Sequence, residues 1–310
     1  MAFHFKRRES VEKAVRRLGR KRVEKALECL KDCERVEAIH CARKEIKKTR
    51  AVLQLFRGQI RRKAYCRITD LLRDAAGNLA APRDAFVKVI TLRNLVRHFK
   101  GHIAAGGLRK IQPELRTACE QEMKRFAKEK SVRSVERALR RVAKGLDRLN
   151  VGGKGWKALC PGVKATYCKG QQACQTALRD QSPENFHQWR KRAKALLYQV
   201  TLLEPLWPEQ MEAMASELDQ LGEYLGDDHD LAMLQRAVGD EGVGDAYPRE
   251  LEILRGLMTE RQQELRTAAM ALGSRFYAEK PSAFCSRLSE YWQIWRREKK
   301  GRIALTRRSL

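Results

Sequence analysis

The chain has nine cysteines but no CxxC pair, and no Cys/His spacing that resembles a zinc module. Cys29 and Cys33 stand one helical turn apart, Cys168 and Cys174 nearly so. Scattered in this way, the cysteines read as reduced thiols of a cytosolic protein. No stretch approaches the ~20 apolar residues that a membrane helix needs. The opening MAFHFKRRES has neither an apolar run nor a cleavage site, so no span and no leader are expected. An alternating apolar–polar run long enough for a strand is also absent. Leu, Ala, Arg, Lys and Glu dominate instead, and the predicted class is all-α. Acidic residues are scarce: 38 Asp and Glu against 65 Lys and Arg leave a net charge of +27. Such an excess narrows the partner more than the fold. Nucleic acid, an anionic surface or a polyanion such as polyphosphate would suit it. Hydrophobic residues make up 43%, enough for a core, so the 33% charge does not mark a disordered chain.

The charge that is present is ordered. Between Ile39 and Phe56 the chain reads IHCARKEIKKTRAVLQLF. On an α-helix at 100° per residue, His40, Arg43, Lys47 and Arg50 share one face, spread over roughly 80° of arc. Ile39, Ala42, Ile46, Leu53 and Phe56 form the neighbouring apolar stripe. Like charges at this spacing weaken a helix by roughly 0.2–0.5 kcal/mol per pair. A row of them aimed one way therefore points to an anion. Phe186 to Leu203, FHQWRKRAKALLYQVTLL, repeats the arrangement with His187, Arg190 and Lys194 beside the stripe Phe186, Trp189, Ala193, Leu196 and Val200. Leu197 takes the fourth place, and Tyr198 follows it. The histidines are 187 − 40 = 147 residues apart.

The remaining pattern is a series of helices. A basic one over 7–31 carries Arg16, Arg17, Arg20 and Lys21 as a second cationic surface. Others are predicted at 60–79, 83–103, 113–129 and 132–149, with Pro82, Pro113 and Ser131 as start signals. Residues 150–162, NVGGKGWKALCPG, change character and mark a boundary between segments 1–150 and 151–310. Helices resume at 163–180, 184–204, 209–226, 229–238, 249–274 and 281–299. Loops are expected at 101–107 and 239–244, and Asp227-Asp228-His229-Asp230 reads as a turn and N-cap. Leu79, Arg83 and Asp84 align with Leu225, His229 and Asp230, and 230 − 84 = 146. Two landmarks at nearly one offset, in matching order, predict an internal duplication: two helical bundles related by pseudo-symmetry.

These residues resemble the CHAD family, the conserved histidine α-helical domain. HCARKEIKKTRAVL and HQWRKRAKALLY look like its paired signature, and Arg83-Asp84 and His229-Asp230 like its second landmark. Thr166-Tyr167, Lys169-Gly170 and the late Phe276-Tyr277-Ala278-Glu279-Lys280-Pro281 also look familial. The likeness spans roughly 5–300. It implies two four-helix bundles facing a basic central channel that binds inorganic polyphosphate, without catalysis, cofactor or metal. The phosphate contacts so implied are His40, Arg43, Lys47, Lys48 and Arg50, then His187, Arg190, Lys191 and Lys194. Arg16, Arg20, Lys169 and Tyr167 are added as candidates. Leu197, Gln171 and Gln172 stand where basic residues are usual, so the channel is expected to hold phosphate more tightly on its first-half side. The ExExK motif of the triphosphate tunnel modules often fused to such domains is absent. Cytoplasmic residence, polyphosphate granules and polyphosphate-metabolising proteins complete the expectation.

The chemistry suits the residues. Polyphosphate has about one negative charge per unit and no bases to read. One helical turn is ~5.4 Å, so Arg43, Lys47 and Arg50 offer a cation about every turn. Arginine holds a phosphate with two parallel N–H bonds, while lysine acts as a point charge. From ordinary histidine values, binding should strengthen as pH falls through about 6–7. Two other readings compete. RNA or DNA would explain the charge, but the basic stripes lack interleaved aromatics for stacking, and no helix-turn-helix, zinc-finger or RNA-sheet signature occurs. A phosphohydrolase would need clustered carboxylates near the histidines; residues 227–230 are the one such cluster.

Overall fold

The computed structural model describes residues 3–32, 36–100, 111–128, 131–240 and 248–298. Among these the chain is all-α. Eleven helices run in the order α1 (Val11–Cys29), α2 (Val36–Leu55), α3 (Arg62–Asn78), α4 (Ala80–His98), α5 (Ile111–Lys128), α6 (Ser131–Asp147), α7 (Gly155–Arg179), α8 (Pro183–Leu202), α9 (Pro208–Asp240), α10 (Pro248–Phe276) and α11 (Pro281–Arg297). The expected loop at 101–107, residues 241–244 of that expected at 239–244 and the basic end beyond Glu298 lie outside the described residues, while Gly239 and Asp240 close α9 as helix.

Local signals mark several helix starts, although α1 begins at Val11 rather than at 7. Ser10 precedes α1 with extended backbone, and its hydroxyl accepts the Lys13 N–H at 3.3 Å. Pro183 and Pro281 open α8 and α11, where a missing N–H is harmless. Both predicted apolar stripes are buried throughout: Ile39, Ala42, Ile46, Leu53 and Phe56 on α2, and Phe186, Trp189, Ala193, Leu196 and Val200 on α8. On α6, Val135, Leu139, Val142 and Leu146 bury a seam at helical spacing.

Two expectations change. First, α9 is one helix of 33 residues, so residues 227–230 are neither turn nor cap. Asp228 turns to α10 instead, accepting from Arg266 at 2.6 Å and from Gln262 at 3.4 Å. An Asp that finds partners on a neighbouring helix has no need of its own backbone N–H groups. Second, four cysteines expected as reduced thiols pair across helices, while Cys66, Cys119, Cys168 and Cys174 stay free. Cys29 meets Cys41 and Cys160 meets Cys285, with Cα separations of 6.0 and 6.2 Å that suit disulfides. Cys168 and Cys174, both on α7, do not pair, because packing between helices brings together residues distant in sequence; Cys33 lies outside the described residues.

The segment 148–154 is short and anchored. Gly152 donates to the Gln59 carbonyl at 2.8 Å, Val151 bridges Ile60, and Gly153 takes φ 76°, which favours glycine. α7 begins at Gly155 rather than at 163 and runs through Pro161, so most of the expected boundary 150–162 is helix. Next to that proline, Gly162 lies so close to the end of α2 that a Cβ there would sit 1.9 Å from the Leu55 carbonyl oxygen.

Two apolar cores result. The larger gathers α1, α2, α3, α6, α7, α8 and α11 with the first half of α9. The smaller joins α4 and α5 to the second half of α9 and the first half of α10. Both draw on residues from either side of position 150. The N-terminal segment adds to this, as the Phe5 N–H donates to Leu202 O at 3.1 Å and its ring meets Phe56 and Trp292 edge-on. The two cores leave a polar seam where they adjoin, formed by faces of α2, α4, α8 and α9.

Candidate functional site

The seam holds the predicted cations. α2 packs against α8, and α4 against α9. From α2 come His40, Arg43 and Lys47, from α4 Arg83 and Asp84, from α8 His187, Arg190 and Lys191, and from α9 His229 and Asp230. Their charges act on one another. Lys47 feels Arg190, Arg43 and Arg83 as repelling neighbours and Asp230 as an attracting one. Arg190 reaches most of the others, including Arg43, Arg83, His187, His229 and Asp230.

Local packing sets the side chains. Arg43 donates to the Ala76 carbonyl at 2.7 Å, closing the last turn of α3, whose final carbonyls lack helical partners. On α9, Gly222 and Gly226 pass beneath Lys194 and Arg190. A Cβ at Gly222 would sit 2.4 Å from Lys194 Cε, and one at Gly226 would sit 3.4 Å from Arg190 Nε. Lys194 is held by Asp219 at 2.8 Å. The His187 and His229 rings stack with centroids 4.0 Å apart and planes at 29°. Buried atoms are left without partners here: Arg190 Nε and His187 Nδ1. A buried donor with nothing to bond costs about 1–3 kcal/mol, so a ligand accepting from it recovers that cost.

Crowding disfavours charge throughout the seam. Lys47 keeps solvent exposure on the face of α2. Burial, then Arg190, Arg43 and Arg83, bring its ammonium down to about 8. Burial, helped by Lys191 and Arg190, drops His187 to about 4. Burial with His187 and Arg190 drops His229 to about 3. His40 lies below its ordinary value for the same first reason, with Arg83 and Lys47 adding to it. Burial pushes the Asp84 and Asp230 carboxyls up, against the pull of Arg43 and Arg83 on the first and of Arg190 and Arg83 on the second. Asp227 also feels Arg190 and lies near Asp230, so three carboxyls stand among several cations, and positive charge still outnumbers negative in the seam.

Not every candidate belongs here. Lys48 points elsewhere, to Glu45 at 3.0 Å, which also takes Arg22 at 3.0 Å, and it lies over the Phe3 ring at 5.5 Å. It follows Lys47 by 100° around α2, enough to turn it toward α1. Arg16 is held by Glu12 and by the Leu149 carbonyl at 3.0 Å. Arg20 binds Glu24 at 2.9 Å and Asp147 at 2.5 Å, at the end of α6. Tyr167 is fully buried, stacked on Phe284 at 4.1 Å, and its hydroxyl donates toward the Phe276 and Glu279 carbonyls. It fastens the turn before α11. Gln171, also from α7, donates to the Tyr277 carbonyl of that turn at 2.7 Å. Lys169 is exposed on the same helix. Arg50 extends the α2 row as far as Tyr65 of α3, whose hydroxyl feels it. Arg83 and His229 were missed as site residues, though they head the Arg83-Asp84 and His229-Asp230 landmarks whose spacing was the available signal.

The seam and its helices define a basic all-helical protein built around convergent cations. Its sequence matches the CHAD domain over residues 11–239, and the chain belongs to that family. Two solved structures are similar in fold. One is described as PptA from Streptomyces chartreusis, with a TM-score of 0.65, 14% identity, and 87% of this chain and 100% of that one covered. The other is the CHAD domain from the plant Ricinus communis, with a TM-score of 0.65, 15% identity, and 90% and 95% covered. Among curated proteins none matches this sequence. No described helix is long and apolar enough to cross a membrane.

Proposed function

We propose that this protein binds inorganic polyphosphate along the seam between α2, α4, α8 and α9, without catalysing its breakdown. The observation that carries this reading is the convergence of Arg43, Lys47, Arg83 and Arg190, whose charges add to burial in bringing Lys47 down to about 8. Cations so placed repel one another until an anion joins them. An unbranched phosphate chain answers every one of them at once and needs no base-reading contacts. The unpartnered Arg190 Nε supplies a further donor.

The same reading takes 1–150 and 151–310 as two copies of one unit facing a shared basic channel. Its support is the element order. α3 and α4 together begin at Arg62 and α9 begins at Pro208, and 208 − 62 = 146, the offset of the Asp84/Asp230 landmark. α2 meets α8 and α4 meets α9, as like elements do across a twofold axis. The side chains favour a mixed lining over a one-sided one, since Arg190 stands at the centre. Residence in the cytoplasm, at polyphosphate granules and beside polyphosphate-metabolising proteins follows from this function.

The test is binding of long-chain polyphosphate at physiological salt by the native protein and by Arg43→Glu with Arg190→Glu. The double reversal should abolish binding, while Arg296→Glu with Arg297→Glu, off the seam, should lower it only slightly. Equal loss from both pairs overturns the proposal. Competition with single-stranded RNA separates a nucleic-acid binder, which would prefer RNA. Phosphate released in the presence of Mg²⁺ or Mn²⁺ would identify an enzyme instead.

A further inference from the structure

Beside the seam lies a cleft of about 620 Å³ between α4, α9 and α10, within the range of about 300–1,000 Å³ usual for small-ligand sites. Its lining, among the described residues, mixes apolar side chains (Phe86, Val87 and Ile90 of α4, Leu231 of α9 and Leu265 of α10) with polar and charged ones. Phe86 and Ile90 are only partly covered, so the cleft offers apolar surface to water. Polar groups stand at two ends. At one end are Arg83 and Asp230, which the cleft shares with the seam, and Asp227 beside them. At the other, Arg261 and His98 both hold Glu264, at 2.6 and 3.0 Å.

This geometry suits a ligand with a flat apolar body and an anionic tail. The body fits between Phe86, Ile90 and Leu265. Asp227 and Asn94 line the same walls and can bond to amino and hydroxyl groups on it. A tail leaving by the Arg83 end meets the seam, because Arg83 and Asp230 line the cleft and also interact with Arg190. We infer that the cleft receives the base and sugar of a nucleoside polyphosphate, whose phosphate tail runs over Arg83 onto Arg43, Lys47 and Arg190. The tail's placement rests on the phosphate-binding reading of the seam; the base's placement rests on the cleft alone. The protein would then read the end group of a phosphate chain as well as the chain.

The probes are ATP, inorganic tripolyphosphate and long-chain polyphosphate, titrated calorimetrically onto the native protein, Ile90→Trp and Thr91→Phe. The tripolyphosphate arm matches the tail of ATP without its base. Native protein should bind ATP about tenfold or more tightly than tripolyphosphate, the gain expected from covering a base with apolar side chains. Each cleft-filling variant should reduce ATP to the tripolyphosphate level while keeping long-chain polyphosphate, which also shows that it is folded. ATP binding no tighter than tripolyphosphate on the native protein overturns the inference, whatever the variants do. So does an ATP advantage that survives in both folded variants. Should neither inorganic chain bind while ATP binds and is lost in the variants, the cleft stands and the reading of the seam as a polyphosphate site falls.

Discussion

His187 of α8 and His229 of α9 stack ring on ring, 4.0 Å between centroids, with Lys191 and Arg190 acting on both. Stacked in a crowded cationic seam, neither ring takes a proton readily; they lie at about 4 and about 3. Histidines at their ordinary values would have completed their effect on binding by about pH 6. Here a polyanion that raises these values strengthens binding only as pH falls below the bound-state value, and the gain levels off near 4 rather than near 6. The same shift bears on folding. Both values are depressed relative to the unfolded chain, so the stability they reflect is present above about 6.5 and is lost as pH falls toward 4 and 3. Thermal melting from pH 7 to 4 should therefore show a declining midpoint, shallower in His229→Gln.

Lys47 titrates on the other side of neutrality. Free it lies at about 8, and a bound phosphate chain raises that value. Affinity is then full below pH 8 and falls as pH rises toward the bound value, by up to about tenfold per pH unit for one proton. Lys47→Arg keeps its charge in this range and should flatten the curve. Equal slopes for native and variant protein between pH 7.5 and 9 would remove Lys47 from the site.

Adjacent lysines give a sharper comparison. Lys47 faces the seam and Lys48 faces Glu45 and Phe3. Lys47→Ala and Arg83→Ala should each weaken polyphosphate binding by about tenfold or more, the scale of one charge-assisted contact. Lys48→Ala should leave affinity within about twofold and lower stability by about 1 kcal/mol or less, since it removes one partly buried ion pair.

Tyr167 separates structure from binding. Its hydroxyl lies 3.2 Å from the Phe276 carbonyl and 3.0 Å from that of Glu279, with no path to the cations. Tyr167→Phe should cost about 1–2 kcal/mol in denaturant unfolding and leave polyphosphate affinity unchanged.

Two glycines should respond in opposite ways. At Gly162 a Cβ meets the Leu55 backbone, which cannot move without displacing the end of α2. Gly162→Ala should destabilise by about 3 kcal/mol. At Gly222 the Cβ meets the far end of the Lys194 chain, which can swing aside. Gly222→Ala should leave melting nearly unchanged and shift only the salt dependence of binding, as Lys194 leaves Asp219.

The sequence by itself determined the helical class, the two buried stripes on α2 and α8, and the row His40, Arg43 and Lys47, because the period of a helix places side chains without reference to the rest of the fold. It also identified Asp84 and Asp230 by their spacing. Tertiary packing decided the rest. Whether a lysine enters the seam or turns to Glu45 depends on which helix lies alongside, and a 100° step was enough to part Lys47 from Lys48. Along the continuous α9, Asp228 is partnered by Arg266 and Gln262 of α10, a pairing local sequence does not reveal. Cysteine partners, the anchoring of Tyr167 and the cleft beside Arg83 all arise between helices, where local periodicity carries no information.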